Sequence, residues 1–187
     1  KNNLKIIKFE LLELKRIIKN KKLNKSFNKI QYQKLLKINS DIKFSSDFIV
    51  AYPGETERNF LDTINLIKKI KFINSYSFIY SPRPGTTASS YEQIDKKISK
   101  ARLIKVQNLL FSFQIMNNKS FLGKETEVLI ENKIETQSKF FGRNKYLTPV
   151  ILDCEDDLVG RVVKVEINDF NQNTLFGKIK KFNIKAA

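Results

Sequence analysis

Hydrophobic positions recur along the chain with two different periods. Through residue 118 they come every three or four residues, the repeat of amphipathic helices, broken by two short apolar runs. After Gly123 they fall on alternate residues, the repeat of half-buried strands. Leu4, Ile7, Leu11, Leu14 and Ile18 put one helical face within the lysine-rich segment 1–25. Asn28 to Ile38 predicts a second, short helix. Lys43 to Tyr52 predicts a strand, and its run Phe48-Ile49-Val50-Ala51 suits cover on both faces. Pro53-Gly54-Glu55-Thr56 breaks that strand. Thr56 suits a helix N-cap and Glu57 the first turn. The helix should reach Ile70, with Phe60, Ile64, Ile67 and Ile70 on one face. Tyr76 to Tyr80 then reads as a short buried strand. Strand, helix and strand make a βαβ unit, so the two strands should be parallel neighbours.

Residues 92–118 predict a long helix, with Ile94, Ile98, Ala101, Leu109, Phe113 and Met116 broadly on one side. Asn117 and Asn118 mark a domain junction. Beyond it five strands are expected: Glu125–Glu131, Phe140–Arg143, Pro149–Leu152, Arg161–Ile167 and Thr174–Ile179. Gly142, Gly160 and Gly177 suit bulges or corners. Such short strands predict a small closed antiparallel barrel of the oligonucleotide-binding kind. Phe140, Phe141, Arg143, Lys145 and Tyr146 are its candidate RNA contacts, aromatics to stack on bases and cations to meet phosphates. The alternative is a neutral packing module.

The stretch Ser81-Pro82-Arg83-Pro84-Gly85-Thr86 supplies a second candidate. Pro82 and Pro84 fix their own φ and hold the residues before them extended. One cation, Arg83, is thus presented at the C-terminal end of a strand, where ligands of parallel sheets bind. Pro53–Thr56 falls at the same end, so the two loops should meet on one rim. The plain alternative for Arg83 is a solvated surface turn.

Charge and cysteine usage narrow the chemistry. The net charge is +16, which favours a polyanionic partner. It is uneven: residues 1–118 hold 23 basic and 9 acidic residues, residues 119–187 hold 12 and 10. Most basic residues are lysine, and abundant Asn and Ile point to a compositional bias that dilutes the signal. The amphipathic segment 1–25 suits a packing helix, or a basic helix on a membrane or RNA. One cysteine, Cys154, and no histidine exclude a Cys/His zinc site, a Cys-ligated iron–sulfur cluster from this chain alone, and Ser-His or Cys-His nucleophile pairs. Cys154 sits beside Glu155, Asp156 and Asp157, which oppose its thiolate, so it reads as structural or incidental. No membrane-spanning run or signal peptide is legible, and the default compartment is cytoplasmic.

The runs Ser45-Ser-Asp-Phe-Ile-Val-Ala-Tyr-Pro-Gly-Glu-Thr56 and Ser77-Phe-Ile-Tyr-Ser-Pro-Arg-Pro-Gly-Thr86 resemble the C-terminal half of the radical-SAM methylthiotransferases, most closely the MiaB-type enzymes acting on tRNA. Phe121-Leu-Gly-Lys-Glu-Thr-Glu-Val-Leu129, Asp157-Leu-Val-Gly-Arg161 and Asn173-Thr-Leu-Phe-Gly177 resemble that family's TRAM domain. The resemblance covers roughly residues 24–182. It implies a partial TIM-like radical-SAM barrel over 26–118, a TRAM domain over 119–187 and a divergent basic helix over 1–25.

The resemblance also implies a chemistry. A reduced 4Fe-4S cluster cleaves S-adenosylmethionine to a 5′-deoxyadenosyl radical. The radical activates the isopentenylated adenosine beside the tRNA anticodon. A second 4Fe-4S cluster takes part in sulfur insertion, and another S-adenosylmethionine supplies the methyl group. On matching positions, Ile49 and Val50 would lie near the cofactor's adenine, Pro53, Gly54 and Glu55 would shape the rim, and Arg83 would face substrate or cofactor. Asp47 and Arg83 favour a tRNA substrate over a ribosomal protein within the family. The enzyme acting on threonylcarbamoyl-adenosine is the nearer rival.

This sequence departs from the family in places. Ala51 stands for a usual glycine and Thr87 for a frequent proline. The CxxxCxxC cluster motif and the cysteines of the family's N-terminal domain are absent from it. The expectation is a chain that is catalytically silent alone and holds no cofactor by itself. It would be the product of a truncated, split or frame-shifted gene, pairing with tRNA and with a separately encoded N-terminal half. The alternative is a non-catalytic RNA-binding protein.

Overall fold

The computed structural model describes residues 25–134, 139–153 and 158–179. Most of the predicted basic helix 1–25, and Cys154 with its three acidic neighbours, lie outside them. The chain divides into two compact units after Ile42. In the first, α1 spans Lys25–Ile38, and the Asp41 N–H donates to Asn39 Oδ1 at 2.9 Å just beyond its end.

The second unit begins with the βαβ unit that the periodicity implied. Strand β1, Asp47–Val50, pairs in parallel with β2, Tyr76–Ile79, in the register Asp47 to Tyr76 through Val50 to Ile79. Helix α2, Glu57–Ile70, joins them. It starts where it does because Thr56 Oγ1 accepts the Asn59 N–H and Asn59 Oδ1 accepts the Thr56 N–H, a reciprocal capping box. Phe60, Ile64 and Ile67 of α2 bury with Phe48, Val50 and Phe72, and with Val106 and Leu110 of α3, Lys96–Lys119. The Phe48 and Phe72 rings meet edge to face at 5.1 Å.

Two expectations need correcting. The apolar run Phe48–Ala51 is not covered on both faces, since Phe48 and Val50 are buried while Ile49 is 59 % exposed. Nor is β2 buried: Tyr76 and Phe78 are 67 % and 53 % exposed. The helices α2 and α3 pack on one side of this two-stranded sheet, and the side carrying Ile49 and Phe78 is open.

Helix α3 starts at Lys96 rather than at residue 92, where Asp95 Oδ1 accepts the N–H groups of Lys97 and Ile98. Its buried face is Ser99, Arg102, Val106, Leu110, Gln114 and Asn117, whereas Ile98 and Met116 are exposed. Polar residues can take that face because each is bonded, as burial requires. Ser99 Oγ donates to the Asp95 carbonyl, and Arg102 and Gln114 reach other elements.

The last third is a closed five-stranded barrel ordered β3-β4-β5-β7-β6. The strands are β3 Glu125–Ile134, β4 Lys139–Asn144, β5 Pro149–Asp153, β6 Val162–Phe170 and β7 Leu175–Ile179. Each contains most of the strand expected there. Val128, Ile130, Phe140, Val150, Leu152, Val165, Ile167 and Leu175 fill the interior. The barrel is not wholly antiparallel, because β5 and β7 pair in parallel. An odd number of strands cannot close with every neighbour reversed, so one parallel seam is geometrically required.

Gly142 and Gly177 stand where strands press together. A Cβ on Gly142 would meet the Leu129 carbonyl oxygen and lie 2.8 Å from Val128 Cγ1; one on Gly177 would lie 2.6 Å from the Glu166 oxygen.

A chain of amides ties the barrel to the βαβ unit. Asn74, after α2, has φ 46°. Its backbone N–H donates to Gln114 Oε1 at 2.6 Å and its side chain donates to the Tyr146 carbonyl at 3.0 Å. Gln114 Nε2 donates to Asn118 Oδ1 at 3.0 Å. Asn118, fully buried, donates onward to the carbonyls of Asn171 and Gln172. The predicted junction at Asn118 is thus a bonded hub.

Candidate functional site

The open side of the β1–β2 sheet is the floor of a groove of about 640 Å³, lined by Ile49, Tyr52, Phe78, Ile79, Tyr80, Ser81, Arg83, Thr86 and Ala88. Three local features shape it. The Tyr80 N–H donates to the Val50 carbonyl, so the strand pairing runs on beyond β2. The Tyr52 and Tyr80 rings meet edge to face at 5.0 Å and join the bases of the two loops. Thr86 closes the Arg83 turn through its backbone N–H at 3.2 Å and its hydroxyl at 2.8 Å, both donating to the Arg83 carbonyl. Gly85, at φ 80°, permits that turn. Arg83 is exposed, and among the described residues no carboxylate pairs with it. An aromatic floor with one guanidinium at its edge can hold a flat apolar group and an attached anion.

The other loop turns differently. At its start Ala51 has φ 60°, and the Glu55 N–H closes a turn onto the Tyr52 carbonyl at 2.8 Å. Glu55 Oε2 accepts the Ala51 N–H and Arg102 Nη1, each at 2.8 Å. Arg102 also donates to the Glu55 carbonyl and to Glu57, and its guanidinium lies 5.2 Å from the Phe60 ring centre. Glu55 is therefore an internal strut. Pro53 and Gly54 line a second cavity of about 580 Å³ with Tyr91, Glu92, Gln93, Ile94, Asp95 and Ile98.

Of the expected groove residues, Ile49 and Arg83 line this hollow. Val50 points into the helix-side core and is 1 % exposed. The groove also takes Tyr52, Phe78 and Tyr80, which sequence reasoning did not single out. Counting by twos from Ile49 across the parallel register would have found Phe78 and Tyr80.

On the barrel, Phe140 is fully buried, so its ring offers no stacking surface. It is a core residue because β4 turns Phe140, Gly142 and Asn144 inward. The other four candidates form two cation–ring pairs. The Arg143 guanidinium lies 5.1 Å from the Phe141 ring centre and pairs with Glu131. Lys145 Nζ lies 4.9 Å from the Tyr146 ring centre, and Tyr146 meets Phe121 edge to face. Two cations thus lie on two rings along one strand and its turn, one of them also paired with a carboxylate.

Among the described residues no group of three His, Cys, Asp or Glu side chains could hold a metal. They contain no cysteine, so an iron–sulfur cluster does not fit them. The groove's chemistry would suit S-adenosylmethionine, an apolar floor for a base and the Arg83 guanidinium for a carboxylate. No described helix is long and apolar enough to cross a membrane.

Comparison with known proteins finds matches in both the βαβ region and the barrel. Residues 119–180 match the TRAM domain. Over 156 residues the chain is 51 % identical to the tRNA-2-methylthio-N(6)-dimethylallyladenosine synthase of Pelagibacter ubique, covering 83 % of this chain and 35 % of that protein. It is 40 % identical over 152 residues to the protein of that name from Ruthia magnifica, covering 81 % of the chain and 34 % of the relative. It is 40 % identical over 147 residues to the one from Wolbachia pipientis of Culex pipiens, covering 77 % and 33 %. The chain thus spans about a third of the length of the relatives it matches. Alignments this long exceed the barrel and must run through much of the βαβ region. The last third of the chain matches the TRAM domain, and through both its parts the chain is similar to the tRNA-2-methylthio-N(6)-dimethylallyladenosine synthases.

Proposed function

We propose that this chain forms the tRNA-facing part of a tRNA-2-methylthio-N(6)-dimethylallyladenosine synthase, in the cytoplasm, with iron–sulfur clusters held on cysteines outside the described residues. The observation that carries this reading is similarity running through both the groove-bearing βαβ unit and the TRAM barrel. The groove would hold S-adenosylmethionine, with its base on Ile49 and Phe78 and its carboxylate toward Arg83. When bound, that cofactor supplies the radical and methyl-transfer chemistry of the family. The residues of this chain would orient it and keep water from the apolar floor. The cation-bearing β4 and its turn would hold the tRNA. The part of such an enzyme that carries the cluster cysteines would complete the site.

The test is a chimera in which residues 43–180 replace the matching segment of the Pelagibacter enzyme. Mass spectrometry of tRNA from a host lacking the enzyme should show the 2-methylthio modification restored. A well-folded chimera that binds tRNA but leaves it unmodified would defeat the enzymatic reading and favour a non-catalytic RNA-binding protein.

A further inference from the structure

The turn between β4 and β5 carries an unusual residue at its tip. Leu147 is 70 % exposed, more than any other large apolar side chain described. It also sits at φ 60°, a left-handed backbone that a branched side chain adopts at a cost. The turn is held firmly in that shape. The Leu147 N–H donates to the Asn144 carbonyl at 2.9 Å. The buried Asn144 Oδ1 accepts the N–H groups of Tyr146 at 3.0 Å and Thr148 at 3.1 Å. Asn74 donates to the Tyr146 carbonyl from the βαβ unit at 3.0 Å. Neither local backbone preference nor burial accounts for leucine here; glycine or asparagine would suit the backbone better.

We propose that Leu147 is an apolar wedge that packs against an unstacked base of bound RNA. This rests on the tRNA reading above. Its neighbours favour a nucleic acid over a protein partner. Lys145 lies on Tyr146 within the turn itself, and Arg143, which also pairs with Glu131, lies on Phe141 along the β4 strand that leads to it. A lysine and a tyrosine beside an exposed aliphatic side chain suit single-stranded RNA, whose phosphates meet cations, whose splayed bases stack on rings and whose unstacked steps admit aliphatic wedges. A rigid, strained turn presents the side chain without an ordering cost on binding.

The test uses the intact chain with tRNA and two variants, Leu147→Gly and Leu147→Asn, both suited to the left-handed backbone. Both should melt at or above the temperature of the parent chain, yet bind tRNA about five-fold or more weakly, within the range known for loss of one stacked base. The slope of log affinity against log salt should stay unchanged, since leucine displaces no counterion, whereas Lys145→Ala should flatten it. Unchanged tRNA affinity in both variants would overturn the wedge and point to a protein contact at this tip. Lower melting temperatures in both would overturn the claim that the leucine is held against the preference of the fold. A parent chain that binds no tRNA would remove the underlying reading itself, an outcome distinct from either.

Discussion

Arg102 and Glu55 are joined across 47 residues of sequence by a 2.8 Å ion pair whose two side chains are 9 % and 11 % exposed. The same carboxylate oxygen receives the Ala51 N–H, so the pair fixes the backbone turn at the end of β1. Removing the arginine would strand a nearly buried carboxylate. Arg102→Ala should therefore destabilise the βαβ unit by about 3 kcal/mol or more, as breaking buried pairs does. Glu55→Gln keeps an acceptor for Ala51 and should cost less, roughly 1–3 kcal/mol. Urea denaturation followed by circular dichroism measures both; equal losses would contradict this account.

Ala51 is the simplest position to improve. Its φ of 60° costs a residue with a Cβ about 1–2 kcal/mol, while glycine gives back about 0.4–1 kcal/mol in unfolded-chain entropy. Ala51→Gly should raise stability, by up to about 1.6 kcal/mol. Ala51→Val should lower it clearly. Thermal melting of the pair decides, and a destabilised glycine variant would show that the left-handed backbone is not what strains this turn.

Gly142 and Gly177 should reject even a methyl group. The atoms nearest a new Cβ include backbone oxygens of the adjoining strands, which cannot swing aside like a side chain. Gly142→Ala and Gly177→Ala should each cost at least about 2 kcal/mol, at the upper end of overpacking penalties. The loss should fall on the barrel and be visible as early hydrogen exchange in β3 to β7.

Arg83→Ala should leave stability within about 0.5 kcal/mol, because the side chain is exposed at a loop. If Arg83 meets RNA phosphate, tRNA binding should weaken and the salt slope fall by about one. If it meets the cofactor carboxylate instead, S-adenosylmethionine binding should weaken while tRNA binding holds. Titrations with each ligand in turn separate the two.

Much of this architecture is legible in the residues, and the failures have physical causes. Alternation located all five barrel strands, and three-four spacing located α2 with its Thr56 cap. Alternation says that two faces exist but not which is inside. Phe140 and Phe141 are chemically equal, and only the register of β4 with β3 and β5 sends Phe140 to the core. The run Phe48–Ala51 looked covered twice because sequence does not say where helices pack. The buried face of α3 went unseen because Ser99, Arg102, Gln114 and Asn117 read as solvated until their partners are placed. The groove was half visible: proline and glycine chemistry marked the Arg83 loop, but Tyr52, Phe78 and Tyr80 join it only through strand pairing.

The position of β7 between β5 and β6 has a consequence for biosynthesis. The segment Leu175–Ile179 closes the cylinder from both sides, and it is the last of the barrel strands to leave the ribosome. Until it emerges, the nascent domain carries two unsatisfied strand margins, open to mispairing with other chains. Ribosomal pausing or premature termination just upstream of Leu175 would therefore leave β5 and β6 exposed together, a greater hazard to the cell than one missing five-residue strand suggests.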